Sequence, residues 1–417
     1  MQTALSAEFR ATPAGEEGAA LLRSCVHCGF CTATCPTYQL LGDELDGPRG
    51  RIHLIKQLLE GDVATASTQL HLDRCLTCRA CETSCPSGVQ YGRLLDIGRQ
   101  LIDEKVGRPL RERLKRRLLA ALLTGPLFAP ALRLGQLLRP LLPASQAVKV
   151  PLRQAPGSWP TREQSRRVLL LNGCVQPAMA PNINAATARV LDALGIEVIV
   201  ASGAGCCGAI RHHLGDQPGA LDDARRNVDA WWPHVESGAD AIVMTASGCG
   251  TQLREYAHLL RHDPAYAAKA ERITALARDL AELLPAHRQT LRSKLRTPAP
   301  QRVAFHPPCS LQHGLKIRGV VERLLSDLGA VLMPVADSHL CCGSAGTYSL
   351  LQSQLSKQLG HAKVEALTAL RPELILSANV GCIAHLTSHT DVPVQHWIEW
   401  VDARLAIGGD TCDPAAC

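Results

Sequence analysis

The sequence predicts an α+β multidomain protein, in which an α-helical N-terminal domain precedes two α/β domains with parallel sheets. Three observations lead there. A run of four cysteines closed by proline occurs twice near the N-terminus, with a helical apolar period between the copies. After Arg166, short β-rich runs alternate with helical ones. A second cysteine pattern recurs across that region: 31 residues lie between Cys174 and Cys206, and again between Cys309 and Cys341, each pair ending in Cys-Cys-Gly. Repeated strand-helix units imply parallel sheets with right-handed crossovers. The expected boundaries are 1–104 for the helical domain, 105–164 for a linker, 165–300 for the first α/β domain and 301–417 for the second.

Composition narrows the chemistry. The chain of 417 residues is 46% apolar and 20% charged, ordinary for a protein that buries sizeable cores. Aromatics make up only 3%, so the stacking platforms that single-stranded nucleic acid uses are scarce, and a net charge of +6 does not argue for nucleic acid. The opening "MQTALSAEFRATPAGEEG" carries early acids and no apolar run, which reads as cytoplasmic rather than exported. In that compartment eighteen cysteines are expected as metal ligands or redox groups rather than as a disulfide framework.

The first repeat is "CVHCGFCTATCP", with Cys25, Cys28, Cys31 and Cys35, and "CLTCRACETSCP", with Cys75, Cys78, Cys81 and Cys85. In a C-x2-C-x2-C-x3-C-P run, three closely stepped thiolates reach three corners of one cubane while the fourth ligates the other cluster. Cys25, Cys28, Cys31 and Cys85 are therefore expected on one 4Fe-4S cluster, and Cys75, Cys78, Cys81 and Cys35 on the second. Structural zinc uses separated ligand pairs and fits this run poorly. Between the motifs, "DELDGPRGRIHLIKQLLEGD" predicts a helix, with Asp46 as its cap, Pro48 in the first turn and Ile52, Ile55, Leu58 and Leu59 on one face. That helix makes the module similar to the α-helical ferredoxin-type domain of quinone-linked dehydrogenases. Arg49 and Arg51 lie either beside the clusters or on a solvated face.

"KVGRPLRERLKRR" and the uncharged "LLAALLTGPLFAPAL" follow. The apolar part is broken by Gly125, Pro126 and Pro130 and falls short of the roughly 20 residues that span a bilayer. A basic stretch beside an apolar one suits an anionic membrane surface, a partner subunit, or an amphipathic helix packed between domains. The Pro-rich segment 150–164 reads as a linker.

In the second repeat, every cysteine group falls just past the carboxyl end of a predicted strand, where open parallel sheets bind ligands. Cys174, Cys206, Cys207 and Cys249 are expected to converge on one metal or thiol-redox site, and Cys309, Cys341, Cys342 and Cys382 on another. "GAGCCG" matches a dinucleotide-binding pattern, with Asp222 or Asp223 as the ribose acid. The second copy, "HLCCGSAG", keeps only the thiol pair and glycine, so nicotinamide or flavin binding is not expected here. Gly208 and Gly343 are expected to let the backbone approach the thiol centre closely. His212, His213, His306 and His313 lie near the thiols as candidate proton carriers.

Two tandem CxxCxxCxxxCP motifs joined to two Cys-Cys-Gly domains resemble the iron-sulfur subunits of glycolate dehydrogenase, also called glycolate oxidase, over nearly the whole chain. Relatives include the C subunit of anaerobic glycerol-3-phosphate dehydrogenase, lactate-utilisation proteins and heterodisulfide reductase subunits. The resemblance implies an electron-transfer subunit that passes electrons from FAD-bearing flavoprotein subunits, which oxidise the 2-hydroxy acid, to membrane quinone. It places the chain in the cytoplasm or peripherally on the cytoplasmic face of the inner membrane. In heterodisulfide reductase-like relatives each Cys-Cys-Gly domain ends in CxxC. Here Gln252 and His385 stand at the last position, which leaves four-thiolate iron-sulfur, zinc or a redox-active pair as alternatives and His385 as a substitute ligand. Cys412 and Cys417 read as free thiols.

Overall fold

Proline and glycine punctuate the N-terminal helices. Thr12 caps α1 (Pro13–Arg23), its hydroxyl accepting from the Gly15 amide at 3.1 Å. The motif proline Pro36 opens α2 (Pro36–Leu41), and Pro48 opens α3 (Pro48–Glu60), which ends at the left-handed Gly61. Proline at the first helical position loses an amide that would have no partner there, and its φ is already helical. α4 (Ala66–Asp73), α5 (Ala80–Thr83) and α6 (Tyr91–Val106) complete the domain. Ile52, Ile55, Leu58 and Leu59 pack against Leu94, Leu95 and Ile102. Asp46 is not the cap of α3, since it stands one residue before the cap position, which Gly47 occupies. Its buried carboxylate instead accepts from Arg74 at 2.8 Å and faces His71 at 3.1 Å and Arg51 at 3.4 Å.

The computed structural model describes residues 1–143, 147, 150–296 and 300–406; Cys412 and Cys417 lie outside them. Past α6, α7 (Leu110–Thr124) and α8 (Phe128–Leu138) form a pair bent by 92°. The side of α7 turned inward carries Arg116 and Ala120, and Arg116 joins Arg108 on Asp73. The leucines face out: Leu110, Leu137 and Leu141 are 78%, 75% and 81% exposed. These leucines lie on the sides of the pair turned away from Arg116 and Ala120. No single helix among the described residues is long and apolar enough to cross a membrane.

The rest holds two four-stranded parallel sheets of the same order. β1 (Arg166–Leu170), β2 (Ile196–Ile199), β3 (Ala241–Met244) and β4 (Ala277–Asp279) run in the order β2-β1-β3-β4. β5 (Gln301–His306), β6 (Ala330–Met333), β7 (Leu374–Ser377) and β8 (Val394–His396) run β6-β5-β7-β8. The short edge strands β4 and β8 were not legible as β-rich runs. α9 (Asn182–Ala193) and α10 (Gln217–Glu236) cross over in the first unit, and α11 (Val320–Asp327) and α12 (Ser353–Thr368) in the second. One apolar core joins the two sheets: Val168 and Leu170 of β1 and Val303 and Phe305 of β5 meet α9 and a final helix, α13 (Trp397–Asp402), through Trp397 and Trp400. Polar bonds lock the same seam, with Arg189 on Asp402 at 2.6 Å and His396 Nε2 paired with the Thr245 carbonyl at 2.8 Å.

At the end of β4, Asp279 is buried, and burial pushes its carboxyl up to about 7 even though it accepts from the Ala281 amide. A folded-state value above the unfolded one means the folded protein binds the extra proton, so this group's contribution is complete below about pH 4 and is lost as pH rises towards 7. Asp279→Asn is therefore expected to gain stability relative to the parent across that window, by about 4 kcal/mol at most, checked by denaturant titration at pH 5 and pH 8.

Candidate iron-sulfur and thiol centres

Each ferredoxin-type motif is a loop wound around its second cysteine. Residues on both sides of that cysteine take positive φ in both copies: His27 (56°) and Gly29 (84°) in the first, Thr77 (53°) and Arg79 (59°) in the second. Left-handed backbone at non-glycine residues costs free energy and clusters at functional sites. One pocket is lined by Cys25, Cys28, Cys31 and Cys85, and another by Cys35, Cys75 and Cys78; Cys81 borders both. The fourth cysteine of each motif thus stands with the first three of the other, which is the donor set two cubanes require, so the residues present fit the groups. Burial pushes the Cys31 thiol up to about 11 and the Cys78 and Cys81 thiols well above their ordinary value. Such thiols become thiolates when a cation coordinates them.

Arg49 and Arg51 part company. Arg49 is half-exposed and binds Glu44 at 2.7 Å. Arg51 is buried, donating to the His71 carbonyl at 2.7 Å and to Thr37 Oγ1 at 3.2 Å. Burial opposes its charge, but Cys75, Tyr91, Cys35 and Asp46 outweigh burial and raise its pKa. A fixed cation thus lies beside the second pocket. Tyr91 Oη donates to Cys75 Sγ at 3.7 Å. Arg51 of α3 and Tyr91 of α6 form a polar bed beside Cys75 that spacing could not announce, because they come together only through the packing of the two helices.

The carboxyl edges of the two sheets face each other. The Ser247 amide donates to the Ala378 carbonyl at 3.2 Å, and the Ser247 and Ser310 hydroxyls meet at 2.7 Å. Between them lies a cavity of about 450 Å³. Cys174, Cys207 and Cys249 line it from the first unit, Cys309, Cys341 and Cys382 from the second, and Cys78 from the second ferredoxin motif. The N-terminal domain is seated at this mouth by Arg79 and Arg93 on Glu255, at 2.9 and 3.1 Å, and by Tyr348 Oη donating to the Arg74 carbonyl at 3.1 Å. The two Cys-Cys-Gly sets, expected as separate sites, thus open on common space.

Within each set the backbone repeats. Gly208 and Gly343 both have φ of 88°, and each donates its amide to the cysteine two residues back at 3.4 Å. Their close approach is not to the thiol centre, as expected, but to α10 at Ala220 and to α12 at Ser356. In the first unit Cys206 is held well below the usual thiol range by thiols donated from Cys174 and Cys207, with Arg226 adding to the effect. In the second, Cys309 Sγ lies 3.8 Å from Cys341 Sγ, and the contacts among the neighbouring thiols together with burial push both well above their ordinary value. Asp223, offered as a ribose acid, is occupied by Arg226 at 2.8 Å and Arg211 at 3.2 Å.

The candidate histidines divide as well. His212 and His213 line the cavity, with His212 3.9 Å from Asp96. His313 does not: Nδ1 pairs with Thr83 Oγ1 at 3.0 Å and Nε2 with the His339 carbonyl at 2.8 Å. His385 lies 3.3 Å from the Ser356 carbonyl, and burial pushes it down to about 4. His306 is buried beside Cys342 and Cys382.

Fold and site together define a class, an iron-sulfur protein whose ferredoxin-type dicluster domain abuts twin Cys-Cys-Gly units. Residues 21–89 match the 4Fe-4S dicluster domain model, and residues 168–254 and 303–387 match the cysteine-rich domain model. The chain is 53% identical over 407 residues to the glycolate oxidase iron-sulfur subunit of Escherichia coli (strain K12), covering 97% of this chain and 99% of that protein. It is 30% identical to the probable glycolate oxidase iron-sulfur subunit of Bacillus subtilis (strain 168), over 88% of each chain. Lactate utilization protein A of Geobacillus thermodenitrificans (strain NG80-2) is 27% identical over 53% of this chain and 90% of its own. The chain belongs to the family of glycolate oxidase iron-sulfur subunits.

Proposed function

We propose that this chain is the electron-relaying subunit of a flavin-dependent glycolate dehydrogenase, an acceptor-dependent oxidoreductase. FAD resides on flavoprotein partner subunits and quinone is the acceptor. Two cubane 4Fe-4S clusters, on Cys25, Cys28, Cys31 and Cys85 and on Cys75, Cys78, Cys81 and Cys35, supply one-electron transfer when bound. The observation that carries this reading is the place of Cys78. It belongs to the second ferredoxin motif and also lines the cavity that Cys309 and Cys341 share, so one wall separates the clusters' end of the molecule from the Cys-Cys-Gly thiols. Arg51 holds positive charge beside Cys35 and Cys75, which favours the more negative, reduced state of the site. His212 and Asp96 border the same cavity and are placed to hand protons to an acceptor there.

The test is electron paramagnetic resonance on the complex copurified anaerobically on this chain, with glycolate, D-lactate or glycerol 3-phosphate added separately. A reduced-cluster signal with glycolate alone is expected. A signal with another donor would reassign the substrate, and silence with all three despite a dithionite signal would favour a thiol-disulfide reductase.

The outward leucines of α7 and α8, beside Arg111, Arg113 and Arg117, are the proposed contact with the anionic membrane surface. The double change Leu118→Glu and Leu137→Glu is expected to move the complex from the membrane pellet to the supernatant with its cluster absorbance unchanged. Loss of the flavoprotein subunits instead would assign this face to them.

A further inference from the structure

His306 ends β5, where the pleat sends Val303 and Phe305 into the core shared by both sheets. Alternate residues of a strand face opposite sides, so Ala304 and His306 belong to the other face, the one that packs Cys342 and Cys382. The imidazole is 1% exposed and neither ring nitrogen has a hydrogen-bond partner among the described residues. An unpaired buried polar atom costs about 1–3 kcal/mol, and here there are two on one ring. Cys342 Sγ and Cys382 Sγ lie with an imidazole nitrogen in a group whose donor atoms are all within 4.8 Å of one another, and all three residues are buried.

We propose that His306, Cys342 and Cys382 form the donor set of a metal centre for a thiophilic transition ion, zinc or iron. Two thiolates and an imidazole suit both ions, and three protein donors leave one position of a tetrahedron for another ligand. In the second unit Cys342 and Cys382 stand with His306, Cys309 and Cys341 lie 3.8 Å apart, and Cys382 also lines the cavity that Cys309, Cys341 and Cys78 border. The first unit provides an internal contrast. The residue three before Cys309 is His306, whereas the residue three before Cys174 is Leu171, which packs in an apolar cluster with Cys207. The nitrogen donor is a property of the second unit alone. The inference stands apart from electron relay, since it concerns residues outside both ferredoxin-type motifs.

The test uses the full chain purified anaerobically with its partner subunits, comparing the parent with His306→Leu, which installs the first unit's residue. Metal content per chain is measured by mass spectrometry, with absorbance of the ferredoxin-type clusters as the control for folding. His306→Leu is expected to lose about one equivalent of metal while that absorbance persists. Loss of zinc identifies zinc, and loss of iron without zinc identifies iron. His306→Cys, which restores a donor, is expected to retain the metal, and X-ray absorption at that metal's edge should show a nitrogen scatterer replaced by sulfur. If His306→Leu folds poorly, that replacement decides the matter. Full metal retention in His306→Leu, no metal beyond that of the ferredoxin-type clusters in the parent, or an unchanged scatterer set in His306→Cys would overturn the proposal.

Discussion

Replacing Cys78 by Ser is expected to abolish glycolate-driven quinone reduction while leaving the flavin of the partner subunits fully reducible. The half-buried Cys78 lines one pocket with Cys35, Cys75 and Cys81 and borders the cavity on its other side. A hydroxyl is a poor soft donor, so the change removes a corner ligand of the second proposed cluster and with it the proposed relay. Changes to residues that merely support a ligand cost roughly 10–100-fold, so loss of the ligand itself should exceed that range. Rapid-mixing spectroscopy checks both halves, following flavin bleaching and quinone reduction in one experiment. Unchanged turnover to quinone would remove Cys78 from the path, and loss of flavin bleaching would mean that the complex no longer assembles.

The second large effect is expected at Gly343. Its φ of 88° lies in the left-handed region, and an added Cβ would meet the Ser356 carbonyl oxygen at 2.6 Å and Leu359 Cβ at 2.9 Å. Neither neighbour can yield cheaply, since Ser356 is in α12 and its hydroxyl donates to the Gly343 carbonyl at 2.8 Å. The backbone penalty of about 1–2 kcal/mol adds to an overpacking penalty of about 1–3 kcal/mol, so Gly343→Ala should lose roughly 2–5 kcal/mol. Gly346→Ala separates the two contributions. That residue also has positive φ, at 61°, but its Cβ would meet nothing within 4 Å, so only the backbone penalty remains. Chemical denaturation of both variants measures the difference. Equal losses would show that the approach to α12 imposes no constraint.

The chemistry of the ferredoxin-type motifs is local and therefore readable. Cysteines three and four residues apart can share a pocket only if the chain turns tightly around them, and Pro36 starts a helix directly after the first motif. The strand-helix alternation after Arg166 places each Cys-Cys-Gly at a strand's carboxyl end by the same logic, since burial on both faces makes parallel strands continuous apolar runs. Asp46 shows where this reading fails. Its position before Pro48 suggested a helix cap, but its partners Arg51, His71 and Arg74 lie 5, 25 and 28 residues further on, and pairing with them outweighs a capping bond.

By itself the sequence determined the cysteine spacing, the periodicity of the helices and strands, and the repetition of both patterns. Those suffice for the fold class and for which thiols lie on one loop or one sheet edge. Only the tertiary structure decided that both sheets turn their carboxyl edges to one cavity, that Cys78 reaches its wall, that Arg51 is buried beside the second pocket, and that His306 faces Cys342 and Cys382 while Leu171 fills the matching place in the first unit. The physical reason is one of range. Hydrogen-bond periodicity and turn geometry act between near neighbours, whereas the seam of Val168, Phe305 and Trp397 forms between segments far apart in the chain, from shape and apolar area that no short stretch displays.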